Sequence, residues 1–233
     1  MKNSYLNTHY SKELRPYTDF PKKLSTHIAD NFFKSRKGKL LDVCCGRGDF
    51  LETYDQLGFE VYGVDLEDVA KEKKFPFQVV NVDKEDLPFD DNFFDFVVMK
   101  SAIEHCANVY HVLDNLSRVL KPGGQIMILT NDWKSVYKVF YDDVDHKSPF
   151  TAYSLKDLLI RYDFENVITG DIFYLPFSWR SSFLKLIPRI IRNIIPINFP
   201  PTVVISNPLI KLIKFSRETQ LLGYGRKKNK HEW

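Results

Sequence analysis

Two glycines that follow a short apolar run are the first feature of the sequence able to hold a ligand. Gly46 and Gly48 come after the run 39–44 and before a helical pattern that starts at Asp49. Glycines at this position let the backbone approach a ligand closely, and the unpaired amides of a helix start can donate to it. A dinucleotide-binding loop has a third glycine three residues later, where this chain has Leu51.

Acidic side chains around this loop narrow the ligand class. Asp42 lies four residues before Gly46, and Asp49 falls in the first turn of the next helix, where it would repel a phosphate. Asp65 follows the next apolar run and is placed to accept both hydroxyls of a ribose. Asp65 alone fits NAD as well. Together, however, Asp42, two glycines and Asp65 favour a ribose-bearing ligand with a cationic centre.

Five segments, in order, resemble the motifs of class I S-adenosylmethionine-dependent methyltransferases. They are LLDVCCGRGDFL (40–51), VYGVDL (61–66), VNVDKEDLPF (80–89), FDFVVMKSAIEHC (94–106) and RVLKPGGQIMI (118–128). The resemblance covers roughly 38–131 closely and 145–172 more loosely. Cys45 and Arg47 replace the small residues common in the family's loop, which is a mild departure.

The resemblance implies a site for S-adenosylmethionine as cofactor. At the methionine end, Asp42 and Gly46 would lie near the amino group, and Met99 and Lys100 would line the site. Gly48 would allow the ligand to approach closely, and Asp65 would hold the ribose hydroxyls. At the adenine end, Leu66 would lie against the ring, and Asp83, beside Lys84, would accept from the adenine amino group. Each position has a plainer alternative. Asp65 could cap the next helix, and Asp83 could form a turn before Pro88.

Two histidines are the candidates for proton transfer. Methyl transfer from a sulfonium is an in-line displacement that needs alignment, and a base helps when the nucleophile is a hydroxyl or a protonated amine. His105 follows the fourth predicted strand and His146 follows the fifth, and an imidazole exchanges protons near neutral pH. Asp145 would orient His146 or accept a proton itself. A structural role for His105 is an equal alternative.

No metal site is expected from the sequence. Glu104-His105 and Asp145-His146 could in principle form one together, but their spacing is not typical of a metal-binding motif. The three cysteines, two of them adjacent, give neither a disulfide framework nor a metal spacing. They indicate a reducing, cytoplasmic compartment.

Strand and helix patterns alternate along the chain. Strands are predicted at 39–44, 60–64, 77–81, 94–99, 125–130, 167–173 and 218–226, and helices at 49–57, 67–73, 109–120 and 155–162. The sequence therefore predicts an α/β fold: a doubly wound, Rossmann-like, seven-stranded and mostly parallel sheet with helices on both faces. Ligands in such sheets bind at the carboxyl ends of the strands, where the strand order switches. Pro122-Gly123-Gly124 is predicted to be a turn.

The chain is predicted to be a single domain, 1–233, with four parts. These are an N-terminal helical segment (1–35), a cofactor-binding core (36–172), a basic apolar insert or lid (173–216), and a last strand with a basic tail (217–233). In the N-terminal segment, Leu24, Ile28, Phe32 and Phe33 would share a face, with Thr18 or Asp19 as cap.

The charge is unevenly distributed along the chain, which indicates an acidic partner, a membrane surface or a nucleic acid. Residues 173–233 hold eleven Lys and Arg against two acids, a net +9, which leaves −6 for the rest of a chain with net charge +3. In the insert, Lys185, Arg189 and Arg192 would share one helix face, with isoleucines around it. Such a helix either lies at a membrane interface or folds over the site as a lid, with its isoleucines buried. Pro188 would limit the length of the helix.

The function predicted from these features is methyl transfer to a small-molecule, saccharide or lipid-linked acceptor, in the cytoplasm or peripherally at the membrane. One alternative is a nicotinamide-dependent oxidoreductase, which the absent third glycine and Asp49 disfavour. Another is a non-catalytic binding subunit with the same fold. An RNA methyltransferase ranks lower, because the basic residues of the tail alternate with aliphatic rather than aromatic ones. The sequence makes no prediction of oligomeric state.

Overall fold

Seven strands form one sheet in the computed structural model, which describes residues 16–33, 35–68, 75–195 and 207–229. The strands are β1 (Lys39–Val43), β2 (Glu60–Asp65), β3 (Phe77–Val79), β4 (Phe94–Lys100), β5 (Leu120–Asn131), β6 (Phe164–Phe173) and β7 (Thr219–Lys227). Their order is β3-β2-β1-β4-β5-β7-β6. β7 runs antiparallel to both of its neighbours, and the other pairings are parallel. The predicted fold class is confirmed.

Helices cover both faces of this sheet. In the described residues they are α1 (Phe20–Asn31), α2 (Asp49–Gln56), α3 (Val109–Val119), α4 (Trp133–Val136), α5 (Ala152–Arg161), α6 (Ser182–Ile194) and α7 (Pro208–Arg217). One apolar core unites α1 and α2 with one face of the sheet, and a second unites α3 and α5 with the other. Leu24 and Ile28 of α1 and Phe33 are buried, as the spacing predicts.

The strand order places the candidate site at its centre. β1 pairs with β2 on one side and with β4 on the other, so the chain winds in both directions from β1. The strands β1, β2 and β4 are parallel, and Asp42, Asp65 and Lys100 therefore lie together near their carboxyl ends. This is the predicted crevice.

Several boundaries differ from the prediction: β6 begins at Phe164, β3 ends at Val79, and the starts of β5 and α5 also differ. β5 begins at Leu120, so Pro122–Gly124 belong to the strand instead of forming a turn before it. Gly123, with φ of +75°, and a register shift against β4 accommodate the irregularity. α5 begins at Ala152: Thr151 caps it by accepting from the Ser154 amide, and Ser154 accepts in return from the Thr151 amide.

One predicted helix and part of another cannot be compared. Of the helix expected at 67–73, only Glu67 and Asp68 are described, and they are not helical; 69–74 lie outside the described residues. So do residues 1–15 of the N-terminal segment. Asp19 occupies the cap position of α1 but makes no side-chain capping bond, while Thr18 Oγ1 accepts from the Phe20 amide at 3.3 Å.

The insert contains α6 and α7, and α6 does not bury its isoleucines as the lid alternative predicts. Lys185, Arg189 and Arg192 face the protein, where their nitrogens lie 3.5, 3.3 and 3.6 Å from carboxylate oxygens of Asp171 on β6. Although burial favours the neutral form of Asp171, these three cations hold its pKa below the ordinary value. The helix also continues through Pro188, which is buried within it.

The apolar side chains of α6 face outward as a consequence. Phe183 and Ile194 are 75% and 74% exposed, and Leu186, Ile187 and Ile190 are exposed between them. We call these five residues the α6 apolar face. Within the described part of the chain, every helix is too short or too polar to cross a bilayer.

Candidate active site

Two cavities open at the carboxyl edge of the sheet and share a wall. The first, about 190 Å³, lies over the glycine loop; the second, about 540 Å³, lies between the loops after β4 and β5 and the insert. Thr18, Phe20 and Lys100 line both. We call them the loop cavity and the large cavity. The two cavities are therefore adjacent.

The glycine loop adopts a conformation that its sequence explains. Cys44, Gly46 and Gly48 have φ of +58°, +55° and +74°. Glycine adopts such positive values freely, whereas at Cys44 the side chain makes this backbone conformation strained. Asp65 fastens the loop, because its Oδ2 accepts from the Gly46 amide at 2.8 Å while its Oδ1 accepts from the Leu66 amide at 2.7 Å. Gly46 lines the loop cavity as predicted.

Asp42 presents a buried carboxyl group to the loop cavity. Its side chain lies at the end of β1 and is 3% exposed. Burial first, and then the neighbouring charge of Asp65, raise its pKa to about 8 against the opposing effect of Lys100. A ligand cation would reverse this effect, because an adjacent positive charge stabilises the ionised carboxylate. The site can therefore hold an ammonium group.

Asp65 and Leu66 lie at the end of β2, on the side of the loop away from β4. Burial raises the pKa of Asp65, partly offset by the backbone amides that its carboxylate accepts from. Leu66 is exposed and could cover a flat ring. The sequence did not show that Asp65 also fixes the loop conformation.

The expectation that Asp49 would repel phosphate needs a correction. Its Oδ2 pairs with Arg47 Nη2 at 2.8 Å, and both side chains are largely buried. The guanidinium also lies 4.5 Å above the Tyr17 ring. Arg47 therefore offsets the charge of Asp49, and this argument against a dinucleotide is weaker than the sequence indicated.

The residues predicted at the adenine end lie outside both cavities. Asp83 Oδ1 accepts from the Asn108 backbone amide at 2.7 Å and so holds the start of α3. Lys84 is exposed. The structure thus gives Asp83 a structural bond, and contact with an adenine remains a prediction for both residues.

Met99 and Lys100 differ although they are neighbours on β4. The Met99 side chain is fully buried in the core and lines neither cavity, so its contact with the methionine end remains a prediction. Lys100 Nζ lies 3.1 Å from Ser101 Oγ and 5.3 Å from the centre of the Phe50 ring. Lys100 lines both cavities, together with Thr18 and Phe20.

The large cavity brings the two candidate histidines together. The ring centres of His105 and His146 lie 4.6 Å apart. His146 Nδ1 lies 2.5 Å from the Phe140 carbonyl oxygen, which makes Nδ1 the protonated nitrogen. Its Nε2 lies 3.9 Å from Asp143 Oδ2. The acid against the imidazole is Asp143 rather than Asp145. Asp145 also lines the cavity, and its role as a proton acceptor remains a prediction.

Glu104 was named in the sequence analysis only as part of a metal site that was not expected. It is 1% exposed, lines the large cavity, and accepts from Thr130 Oγ1 at 2.8 Å. Ligand atoms of Glu104, His105 and His146 all lie within 4.8 Å of one another. Other lining residues were also missed because they come from distant segments: Asn131, Asp143, Tyr174, Lys211 and Phe215. No local pattern marks them.

In comparisons with known proteins, the match of the family model spans the glycine loop and strands β1 to β5. The family model described as methyltransferase domain matches residues 41–128. Demethylmenaquinone methyltransferase of Staphylococcus aureus is 33% identical over 123 residues, which are 46% of this chain and 51% of that protein. The chain thus spans about half the length of this curated relative.

Solved structures share the fold over nearly the whole chain. An S-adenosylmethionine-dependent methyltransferase from Archaeoglobus fulgidus has a TM-score of 0.66 at 20% identity, covering 96% of this chain and all of that one. Phosphoethanolamine N-methyltransferase 2 of Haemonchus contortus, bound to S-adenosyl-L-methionine, has a TM-score of 0.65 at 17% identity, covering 96% and 59%. At these identities the likeness shows the fold.

Proposed function

We propose that the class I S-adenosylmethionine-dependent methyltransferase domain of this chain transfers the donor's methyl group to an acceptor bound in the large cavity. The observation that carries the proposal is the junction of the two cavities at Lys100. A donor over the glycine loop and an acceptor beside the histidines would meet there. Holding two reactants in line supplies much of the rate of such a displacement.

The residues of the loop cavity fit the methionine end of the donor. Asp42 offers a carboxylate to the ammonium group, and Gly46 offers a backbone free of a side chain. Asp65 would hold the ribose from the neighbouring strand end. S-Adenosylmethionine carries an ammonium group that the Asp42 carboxylate can pair with, which favours it over a pyrophosphate-bearing nicotinamide cofactor.

The large cavity supports a small-molecule acceptor. Its volume of about 540 Å³ is in the range of ordinary small-ligand pockets. Curated relatives are named for a small-molecule acceptor, demethylmenaquinone, which supports this acceptor class. Lys211 and Phe215 of α7 close one side, so part of the insert acts as the lid of the site.

A lipid surface is the proposed source of the acceptor, and the α6 apolar face is the contact. Five large apolar side chains exposed on one helix are a costly arrangement in water. Exposed Arg180 lies just before this helix, and residues 193–210 of the sequence carry no charge. An amphipathic helix of this kind inserts its apolar side at the headgroup boundary. The insert would then join the membrane contact to the lid.

The experiment that tests the activity is a search for the acceptor. Purified protein is supplied with methyl-labelled donor and with cell fractions separated into lipid, saccharide, RNA and protein. Label should enter the lipid or saccharide fraction. Label confined to RNA or protein would contradict the proposal.

Replacement of His146 tests the chemistry once an acceptor is known. We expect His146→Ala to lower turnover by about 100-fold or more, in the range typical of general acid–base groups, and to leave donor affinity unchanged. Asp143→Asn should lower turnover more than Asp145→Asn, since Asp143 lies against the ring. Unchanged turnover in His146→Ala would assign this histidine a structural role.

A further inference from the structure

We propose that Glu104, His105 and His146 bind one divalent transition-metal ion in the wall of the large cavity. The three residues come from the 3-10 turn after β4, Ile103–His105, and from the loop after β5. Their ligand atoms lie within 4.8 Å of one another. Around a four-coordinate ion at about 2.1 Å, ligand atoms are roughly 3.4 Å apart, so small side-chain rotations close the cluster.

The backbone holds the two contributing segments together. The amides of Lys147 and Ser148 donate to the Glu104 carbonyl oxygen at 2.8 and 3.0 Å. Ser148 Oγ donates to the Cys106 carbonyl oxygen at 2.7 Å. The loop with His146 is thereby fixed against the turn with Glu104 and His105, and the cluster is a built feature of the fold.

Neighbouring groups orient the side chains of His146 and Glu104 by hydrogen bonds, as they do for the ligands of known metal sites. His146 Nδ1 donates to the Phe140 carbonyl oxygen, which leaves the lone pair of Nε2 for a cation. While an ion is bound there, His146 is its ligand and does not act as the base, so the loss of turnover expected for His146→Ala would then come from loss of the ion. The imidazole is also stacked on the Phe140 ring, with ring centres 4.4 Å apart. The Glu104 carboxylate accepts from Thr130 Oγ1, a fully buried hydroxyl. Both arrangements exist in the protein before any ion binds.

Charge and ligand type define the ion. Carboxylates of Glu104, Asp143 and Asp145 line the cavity against the amines of Lys100 and Lys211, a net negative balance that attracts a cation. Two imidazoles and one carboxylate suit Zn²⁺ or a similar transition-metal ion and disfavour Mg²⁺, which prefers oxygen ligands. Three protein ligands leave a coordination position open to the cavity.

The open position would select the acceptor. An acceptor with a hydroxyl or carbonyl oxygen can complete the coordination and be held near the junction at Lys100. This use of the ion rests on the proposed function, whereas binding of the ion does not. The site therefore predicts an oxygen-bearing acceptor.

Titration calorimetry of the untagged, chelator-stripped chain tests the ion site, with Zn²⁺ and Mg²⁺ as probes. We expect one Zn²⁺ per chain and far weaker Mg²⁺ binding. His105→Ala, His146→Ala and Glu104→Gln should each weaken Zn²⁺ binding by at least tenfold. Thr130→Val, which keeps the side-chain volume, should weaken it by about 10–100-fold through the lost support of Glu104.

Matched variants separate this site from other effects. His111→Ala removes a histidine of α3 outside the cluster, and Asp145→Asn removes a carboxylate of the same cavity; both should retain Zn²⁺ affinity within a few-fold. Donor affinity and the unfolding temperature show that each variant is folded. Co²⁺, with its visible absorption, reports on the ligand set directly.

The outcomes are distinct for the two proposals. Wild-type affinity for Zn²⁺ in all three ligand variants, stoichiometry below one, or equal affinity for Mg²⁺ would overturn the ion site. Asp65→Ala should lose the donor and keep Zn²⁺. A chain that binds Zn²⁺ but transfers no methyl group to any fraction would reject the proposed function and leave the ion site standing.

Discussion

Asp65 joins the recognition of the donor to the shape of the glycine loop. Its two carboxylate oxygens accept from the amides of Gly46 and Leu66, at the two sides of the expected ribose position. The sequence predicted the ribose contact from the position of Asp65 after β2. It could not predict the bond to Gly46, since that bond depends on the pairing of β1 with β2 and on the loop dihedrals.

Replacement of Asp65 should therefore be more damaging than loss of a single ligand contact. We expect Asp65→Ala to weaken S-adenosylmethionine binding by about 100-fold or more, because a hydrogen bond to a charged group contributes about 1.5–3 kcal/mol and at least two are lost. Calorimetry or equilibrium dialysis measures the loss. Asp65→Asn keeps one acceptor oxygen and should fall between Ala and wild type. Affinity retained within a few-fold in Asp65→Ala would place the ribose elsewhere.

Asp42 should make donor binding depend on pH. Burial raises its pKa to about 8 in the unliganded protein, so the carboxyl is mostly neutral at lower pH. The ammonium of the donor needs the ionised form, and binding must then release a proton. Affinity should rise between about pH 6 and 8, by up to tenfold per pH unit. Loss of the ligand's own ammonium proton opposes the rise at higher pH.

The variant Asp42→Asn isolates this effect. It should bind the donor more weakly at pH 8 and show no rise between pH 6 and 8, because the titrating group is gone. Calorimetry in buffers of different ionisation enthalpy counts the released proton. Parallel pH profiles in the wild type and the variant would show that Asp42 does not bind the ammonium.

Among the elements, α6 shows what periodicity can and cannot tell. The sequence predicted that Lys185, Arg189 and Arg192 share one face, and they do. It could not tell which face points inward, since both a buried ion cluster and a buried isoleucine face satisfy the same spacing. Asp171, fourteen residues before Lys185 on β6, decides the orientation through three ion pairs. Pairing across such a distance leaves no local signal.

This orientation changes the expected membrane test. Basic residues on the surface would bind anionic vesicles only at low salt, because salt screens the attraction between charges. Binding through an apolar face depends on the apolar area buried in the membrane, and salt weakens it little. We expect co-flotation with vesicles to persist at about 0.5 M salt, several-fold above physiological ionic strength. Phe183→Asp with Ile190→Asp should reduce it at least tenfold.

A control for that test is Tyr153→Asp, which alters an equally exposed aromatic residue on α5. This variant should float like the wild type. Flotation that disappears at high salt, or that is equally weakened in the control, would show that the α6 apolar face does not contact lipid.

At the scale of the whole molecule, the alternation of strands and helices predicted the sheet, its mostly parallel pairing and the edge where the site lies. These features follow from local periodicity and from the handedness of crossovers. The large cavity was only partly predicted. His105 and His146 stand beside recognisable strand ends, whereas Lys211 and Phe215 reach the cavity through the packing of the insert. The start of β5 at Leu120 could not be predicted either, because it depends on the pairing of Leu120 with Phe94 of β4.

The stability of the whole molecule distinguishes most clearly between the two candidate cofactors, S-adenosylmethionine and NAD. A ligand that binds only the folded state stabilises the whole chain, by about 2.7 kcal/mol at one hundred times its dissociation constant. For a chain of 233 residues this is roughly 5–10 °C in the unfolding temperature. S-Adenosylmethionine should give this shift, and NAD at the same concentration should give none, because Asp42 and Leu51 fit the cationic ligand and not the pyrophosphate. Differential scanning calorimetry measures both, with Asp65→Ala as the variant in which the donor's shift should vanish. A shift with NAD alone would restore the oxidoreductase alternative.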